Sequence, residues 1–183
     1  DKFILGRVGG TGAVAVYALA AQLNMHYGSL SPGGSSIFIP RVNRLVATDS
    51  DSHLTDLFVR VGRMQFLILM LVCSGLVVFG RPFLYMWAGP DYAQAYPMAL
   101  LLIVPVTIPL IQNLGIEVQR AKNMHQFRSW LYLGIAGVNV AVTIPMAQKW
   151  GGVGAAAGTA GALLLGHGLI MNVYYHRRVG LDM

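Results

Sequence analysis

The chain has 183 residues, of which 55% are hydrophobic and only 11% charged, with a formal net charge of +6. A soluble globular domain carries about 25% charged residues, and one core of this size cannot hide so much apolar surface from water. Disorder needs the opposite composition, low hydrophobicity with high charge, so a polytopic membrane protein remains.

Cys73 is the single cysteine and sits in an apolar run, which excludes a disulfide framework and a cysteine-based metal site. The chain opens on Asp1-Lys2 and shows no signal-peptide pattern. It reads as a piece of a longer protein.

Stretches free of Lys, Arg, Asp and Glu cover residues 8–40, 64–80, 92–116, 129–148 and 150–176. A helix needs about 20 apolar residues, range roughly 17–25, to cross the hydrocarbon layer. The sequence therefore predicts an all-helical integral membrane bundle of about five spans, at 10–39, 58–80, 95–117, 128–148 and 152–175. A β-barrel would show alternation in segments of about ten residues, and none is visible. Ser31-Pro32-Gly33-Gly34 supplies a breaker inside the first stretch.

Between the first two spans, Thr48-Asp49-Ser50-Asp51-Ser52 is a turn and cap cluster. Leu54, Leu57, Phe58 and Val61 follow at i, i+3, i+4, i+7, with Arg60 and Arg63 on the same helix. This pattern predicts an amphipathic lead-in lying at the membrane interface; a solvated helix start is the alternative.

The cations orient the spans. Arg41, Arg44, Arg60, Arg63, Arg120, Lys122, Arg128, Arg177 and Arg178 fall on one side, and Lys2, Arg7, Arg81 and Lys149 on the other. The positive-inside rule makes the first side cytoplasmic, with a cytoplasmic C-terminus. Phe79, Phe83, Tyr85, Trp87, Tyr92 and Tyr96 gather around the second connection, while Trp130, Trp150, Tyr174 and Tyr175 sit at span ends. Tyr and Trp favour headgroup depth.

Gly10-Thr11-Gly12-Ala13-Val14-Ala15 fits a dinucleotide fingerprint by letters alone. That motif needs a preceding strand and an acid about 20 positions on, and the next acid is Asp49. Glycine packing at a helix end is the better reading. In the last span Gly154, Gly158, Ala162 and Gly166 recur every four residues. Small residues at that spacing let two helices approach closely, as static packing or as a sliding surface.

Uncharged polar residues inside the spans are the candidate substrate path. Gln22, Asn24 and His26 lie near the middle of the first span, and Gln22, His26 and Ser29 share one helix face. Gln112 and Asn113, with Glu117 beyond them, mark the third span, Asn139 the fourth, and His167 and Asn172 the fifth. Such residues avoid lipid, so they line a cavity or bond to other helices. Pro105, Pro109 and Pro145 fall within spans and remove backbone hydrogen bonds; transporters use broken helices at their sites.

No span carries paired carboxylates, a Ser/His/Asp or Cys/His constellation, a zinc-protease motif or a phosphate loop. No catalytic residue, cofactor or metal is assigned. The cations flank spans, which points to anionic membrane lipids as partners and not to nucleic acid.

Taken in order, several segments resemble the C-terminal half of a bacterial polysaccharide (oligosaccharide) flippase. That family is grouped with the multidrug and toxic compound extruders and the lipid II flippases. The resembling segments are Asp1-Lys2-Phe3-Ile4-Leu5-Gly6 with Val16-Tyr17, and Pro40-Arg41-Val42-Asn43-Arg44-Leu45. Next come Phe79-Gly80 and the outer loop Trp87-Ala88-Gly89-Pro90-Asp91-Tyr92-Ala93-Gln94-Ala95. Ala121-Lys122-Asn123, Asn139-Val140 and Gly151-Gly152-Val153-Gly154-Ala155-Ala156 complete the series.

The resemblance implies the C-terminal lobe of a MATE-like transporter in the bacterial inner membrane, working with an N-terminal lobe that this sequence does not contain. The implied activity is flipping of lipid-linked oligosaccharide by alternating access during polysaccharide (O-antigen, capsule or exopolysaccharide) biosynthesis, without chemical reaction. A Na⁺- or H⁺-coupled drug or cation exporter is the alternative, and a membrane glycosyl- or acyltransferase a further one.

Overall fold

The structure is a computed structural model that describes residues 5–7, 10–48, 51–121 and 126–171. Among these residues it is almost wholly helical, with no strand. Six helices follow in chain order: α1 (Gly10–Ser36), α2 (Ile39–Ala47), α3 (Asp51–Ala88), α4 (Ala95–Ile111), α5 (Asn113–Ala121) and α6 (Gln126–Leu163). A short 3-10 turn, Pro90–Tyr92, joins α3 to α4, and Leu164–Met171 extends α6 as a wider π-type helix. Residues 1–4, Asp49, Ser50, Lys122, Asn123, Asn172 and the tail with Arg177 and Arg178 lie outside the described residues, as does the side chain of His167.

α1 is rich in Ala and Leu, strong helix formers. It runs unbroken through Ser31-Pro32-Gly33-Gly34, where a break was expected. Beyond Pro32, two serine hydroxyls bond back to carbonyls of the same helix. Ser35 Oγ donates to the Ser31 carbonyl (3.1 Å) and Ser36 Oγ to that of Gly33 (3.2 Å). The chain turns only at Ile37 and Phe38, and Pro40 then occupies the first turn of α2, where its missing N–H costs nothing.

α4 is the central helix, packed against α1, α6 and α3. Its core positions Met98, Ala99, Leu102 and Ile103 meet Tyr17, Ala20 and Tyr27 of α1, Leu69 of α3, and Ala155 and Ala156 of α6. Pro105 and Pro109 lie inside α4, which ends at Ile111. Gln112 then leaves helical geometry at φ −83°, ψ 8° before α5 resumes.

α6 is a hairpin. Gly151 has φ 58°, ψ −136°, in the left-handed half of backbone space where glycine is at home. Beyond it the chain doubles back. Gly154 lies against Met146, Gly158 against Thr143 and Gly166 against Ile135. The stripe of small residues read from the sequence is thus the contact face between the two arms. A Cβ on Gly158 would stand 2.9 Å from Thr143 Oγ1 and 3.1 Å from its Cα, so the arms meet backbone to backbone.

A second cluster lies at one end of the bundle. Val42 of α2, Leu54, Leu57, Phe58 and Val61 of α3, and Leu114 and Val118 of α5 are buried together. The amphipathic lead-in is therefore the first part of α3, and its apolar face covers protein. The apolar face expected to meet the membrane interface is covered instead by α2 and α5, which bury Leu54 and Phe58.

Three helices are long and apolar enough to cross a membrane: His53–Ala88, Ala95–Ala121 and Ser129–Gly166. The last contains the hairpin at Gly151, which divides it into arms of 22 residues (129–150) and 15 residues (152–166), about 33 and 22 Å long. α1 is long enough but is not among the three; Gln22, Asn24 and His26 dilute its apolar character. The surface of α3 is apolar, with Leu67, Leu71 and Val78 each more than 60% exposed. Such a surface suits lipid as solvent, where helices satisfy their own backbone.

Candidate functional site

α1 presents two different polar faces. The buried one carries Tyr27, Ser31 and Ser35, spaced four residues apart. Tyr27 Oη donates to the Leu69 carbonyl of α3 (3.2 Å) and lies 2.8 Å from Thr107 Oγ1 of α4. Thr107 Oγ1 in turn donates to the Ile103 carbonyl of its own helix (2.9 Å). One turn on, Ser31 Oγ donates to the Leu110 carbonyl (2.6 Å), and Gln65 Nε2 of α3 donates to the Ser31 carbonyl (3.2 Å). One turn further, Asn113 Nδ2 donates to Ser35 Oγ (3.0 Å). The seam thus ties α1, α3 and α4 together at the depth where α4 breaks.

The exposed face carries Gln22, Met25, His26 and Ser29. The Ser29 hydroxyl turns back to the His26 carbonyl (2.7 Å), leaving the amide of Gln22 and the imidazole of His26 directed away from the bundle. Asn24 does not belong to this group. Residues two apart on a helix point about 200° apart, and Asn24 is half-buried, its Oδ1 fully covered and without a partner among the described residues.

Of the other expected path residues, Gln112 is buried at the α4–α5 break and Asn113 joins the seam beside it. Asn139 belongs to a second node. Its Oδ1 accepts from Thr143 (2.6 Å) and Thr159 (3.4 Å) on the two arms of α6, and Thr159 also bonds the hydroxyl of Tyr17. The six candidates therefore divide among an exposed α1 face (Gln22, His26), the bundle interior (Asn24), the α4 break (Gln112, Asn113) and the hairpin (Asn139).

Sequence reading passed over Tyr27, Ser31, Ser35, Gln65, Thr107, Thr143 and Thr159. The spacing of Tyr27, Ser31 and Ser35 was the available signal, since three polar residues at i, i+4, i+8 mark one face. The bonding of Gln65 and Thr107 depends on which helices meet and had no sequence signature.

The charged groups collect at the ends. Arg41, Arg44, Arg60, Arg63 and Arg120 lie at the end of the second apolar cluster, where Arg120 pairs with Glu117 (2.9 Å). Asp91, Tyr92 and the hairpin tip at Gly151 meet the start of α1 at the opposite end. Among the described residues no three His, Cys, Asp or Glu side chains converge. The arrangement offers neutral hydrogen-bonding groups in an apolar scaffold. It defines an all-helical protein with three helices able to cross a membrane. Comparison with protein-family models, with curated proteins and with solved structures finds no match for the chain.

Proposed function

We propose that the chain forms a five-span C-terminal lobe of a flippase that carries lipid-linked oligosaccharide across the bacterial inner membrane by alternating access. The basic end faces the cytoplasm and the hairpin tip the periplasm. The observation that carries this reading is the set of exposed, uncharged polar side chains Gln22, His26 and Ser29 on α1, which share that face with Met25. The exposed face of α3 is apolar, with Leu67, Leu71 and Val78, and suits lipid. The α1 face does not, because uncovered polar groups in hydrocarbon are costly. It suits a water-filled path against a second lobe. Its neutral groups match sugar hydroxyls better than a cationic drug, which would be drawn to a carboxylate.

The test replaces Gln22→Leu together with His26→Leu in the intact transporter. Both side chains are exposed, so helicity and membrane insertion are expected to hold. Two lost polar contacts, each worth about 1 kcal/mol, are expected to slow translocation of a fluorescent lipid-linked oligosaccharide in reconstituted vesicles by about tenfold or more. An unchanged rate assigns this face to packing against another helix and removes it from the path.

A further inference from the structure

At the end opposite the basic one, three elements enclose a cleft of about 530 Å³. Gly12 in the first turn of α1 forms one wall, Asp91, Tyr92 and Gln94 between α3 and α4 a second, and Trp150 and Gly151 at the hairpin tip the third. The hairpin tip is seated on α4, since a Cβ on Gly152 would stand 2.7 Å from Met98 Cε. Gly12 and Gly151 have no side chain to fill the space, and a Cβ at either would meet nothing within 4 Å.

The lining has a specific chemistry. The Asp91 carboxylate is exposed and makes no ion pair with a described residue. Tyr92 and Trp150 share the cleft with it, and Trp150 is 62% exposed. A carboxylate and two aromatic side chains bordering one cleft are the groups that recognise an organic ammonium, through charge and through the ring faces. Exposed Lys149 adjoins Trp150 in the chain and supplies an opposite charge at the same end. The cleft also lies where α4 begins and the two arms of α6 turn, at headgroup depth for helices that span.

We infer that this cleft binds the headgroup of a zwitterionic phospholipid. Its ammonium enters between Tyr92, Trp150 and Asp91, and its phosphate faces Lys149. Phosphatidylethanolamine has that chemistry. The site rests on the membrane-spanning reading and is independent of the cargo proposed above, so a transport-dead variant leaves it intact.

The experiment is native mass spectrometry of the full chain, purified in detergent and offered phosphatidylethanolamine and phosphatidylglycerol with identical acyl chains. Preferential retention of phosphatidylethanolamine is expected. Asp91→Asn is expected to lower that retention about fivefold, the order of one exposed charge pair, with phosphatidylglycerol unaffected and Asp91→Glu restoring most of it. Trp150→Leu, at an exposed position, is expected to cause a comparable loss. Equal retention of the two lipids, or no change in Asp91→Asn, overturns the site. Displacement of the lipid by millimolar free ethanolamine assigns the cleft to a soluble amine and overturns the lipid assignment.

Discussion

Ser31 and Leu110, 79 residues apart in the chain, are joined by a 2.6 Å hydrogen bond from the Ser31 hydroxyl to the Leu110 carbonyl. That carbonyl lies at the end of α4, just before Gln112 leaves helical geometry. A side chain from α1 thus occupies an acceptor that a regular helix would have filled, and the break in α4 is stabilised from outside.

Ser31→Ala removes this donor from the part-buried Leu110 carbonyl, which the Gln112 N–H also approaches. Interhelical bonds in membrane proteins are typically worth about 0.6–2 kcal/mol, so a loss of about 1 kcal/mol is expected in unfolding from mild detergent. Ser29→Ala is the matched control. Its hydroxyl bonds within its own helix at an exposed position, and a change below about 0.5 kcal/mol is expected. Equal effects at the two serines would show that Leu110 has no need of Ser31.

The hairpin makes opposite predictions for two glycines three residues apart. Gly158→Ala pushes a methyl group onto Thr143, against backbone that cannot give way. Overpacking of this kind costs about 1–3 kcal/mol. At Gly161 a Cβ meets nothing within 4 Å, so Gly161→Ala is expected to gain up to about 1 kcal/mol of helix propensity. Thermal unfolding of the two variants side by side checks both signs; destabilisation of similar size at both positions would contradict the antiparallel packing of the arms.

Gln119 is 1% exposed, and neither its Oε1 nor its Nε2 finds a partner among the described residues. A buried amide left in that state costs about 1–3 kcal/mol. Gln119→Met keeps length and volume while removing both polar atoms, and is expected to raise stability by about 1 kcal/mol or more in the same unfolding measurement. A loss of stability instead would reveal a water or ligand held by the amide.

The sequence by itself determined the class of this protein and most of its helices. Scarce charge and long uncharged runs point to an apolar solvent, where helices or closed barrels satisfy the backbone, and the runs lack the alternation of a barrel. The same runs marked the two arms of α6 as separate segments, because Lys149 interrupts them at the hairpin tip. The four-residue repeat of Gly154, Gly158, Ala162 and Gly166 announced a close helix contact, since periodicity alone defines a face.

Only the tertiary structure decided which faces meet. Leu54, Leu57, Phe58 and Val61 have the same spacing whether they cover lipid or protein, and the choice fell to α2 and α5, which supply Val42, Leu114 and Val118. Gln22, Asn24 and His26 read as one polar group along the chain; the helix turns Asn24 away from the other two, and only the fold shows that its side is covered while theirs is exposed. α1 continues through Pro32, and its Ser31 hydroxyl finds its acceptor on Leu110, a residue from another helix. Periodicity specifies that a face exists, while its partner depends on how distant segments fit together, and that is a property of the whole fold.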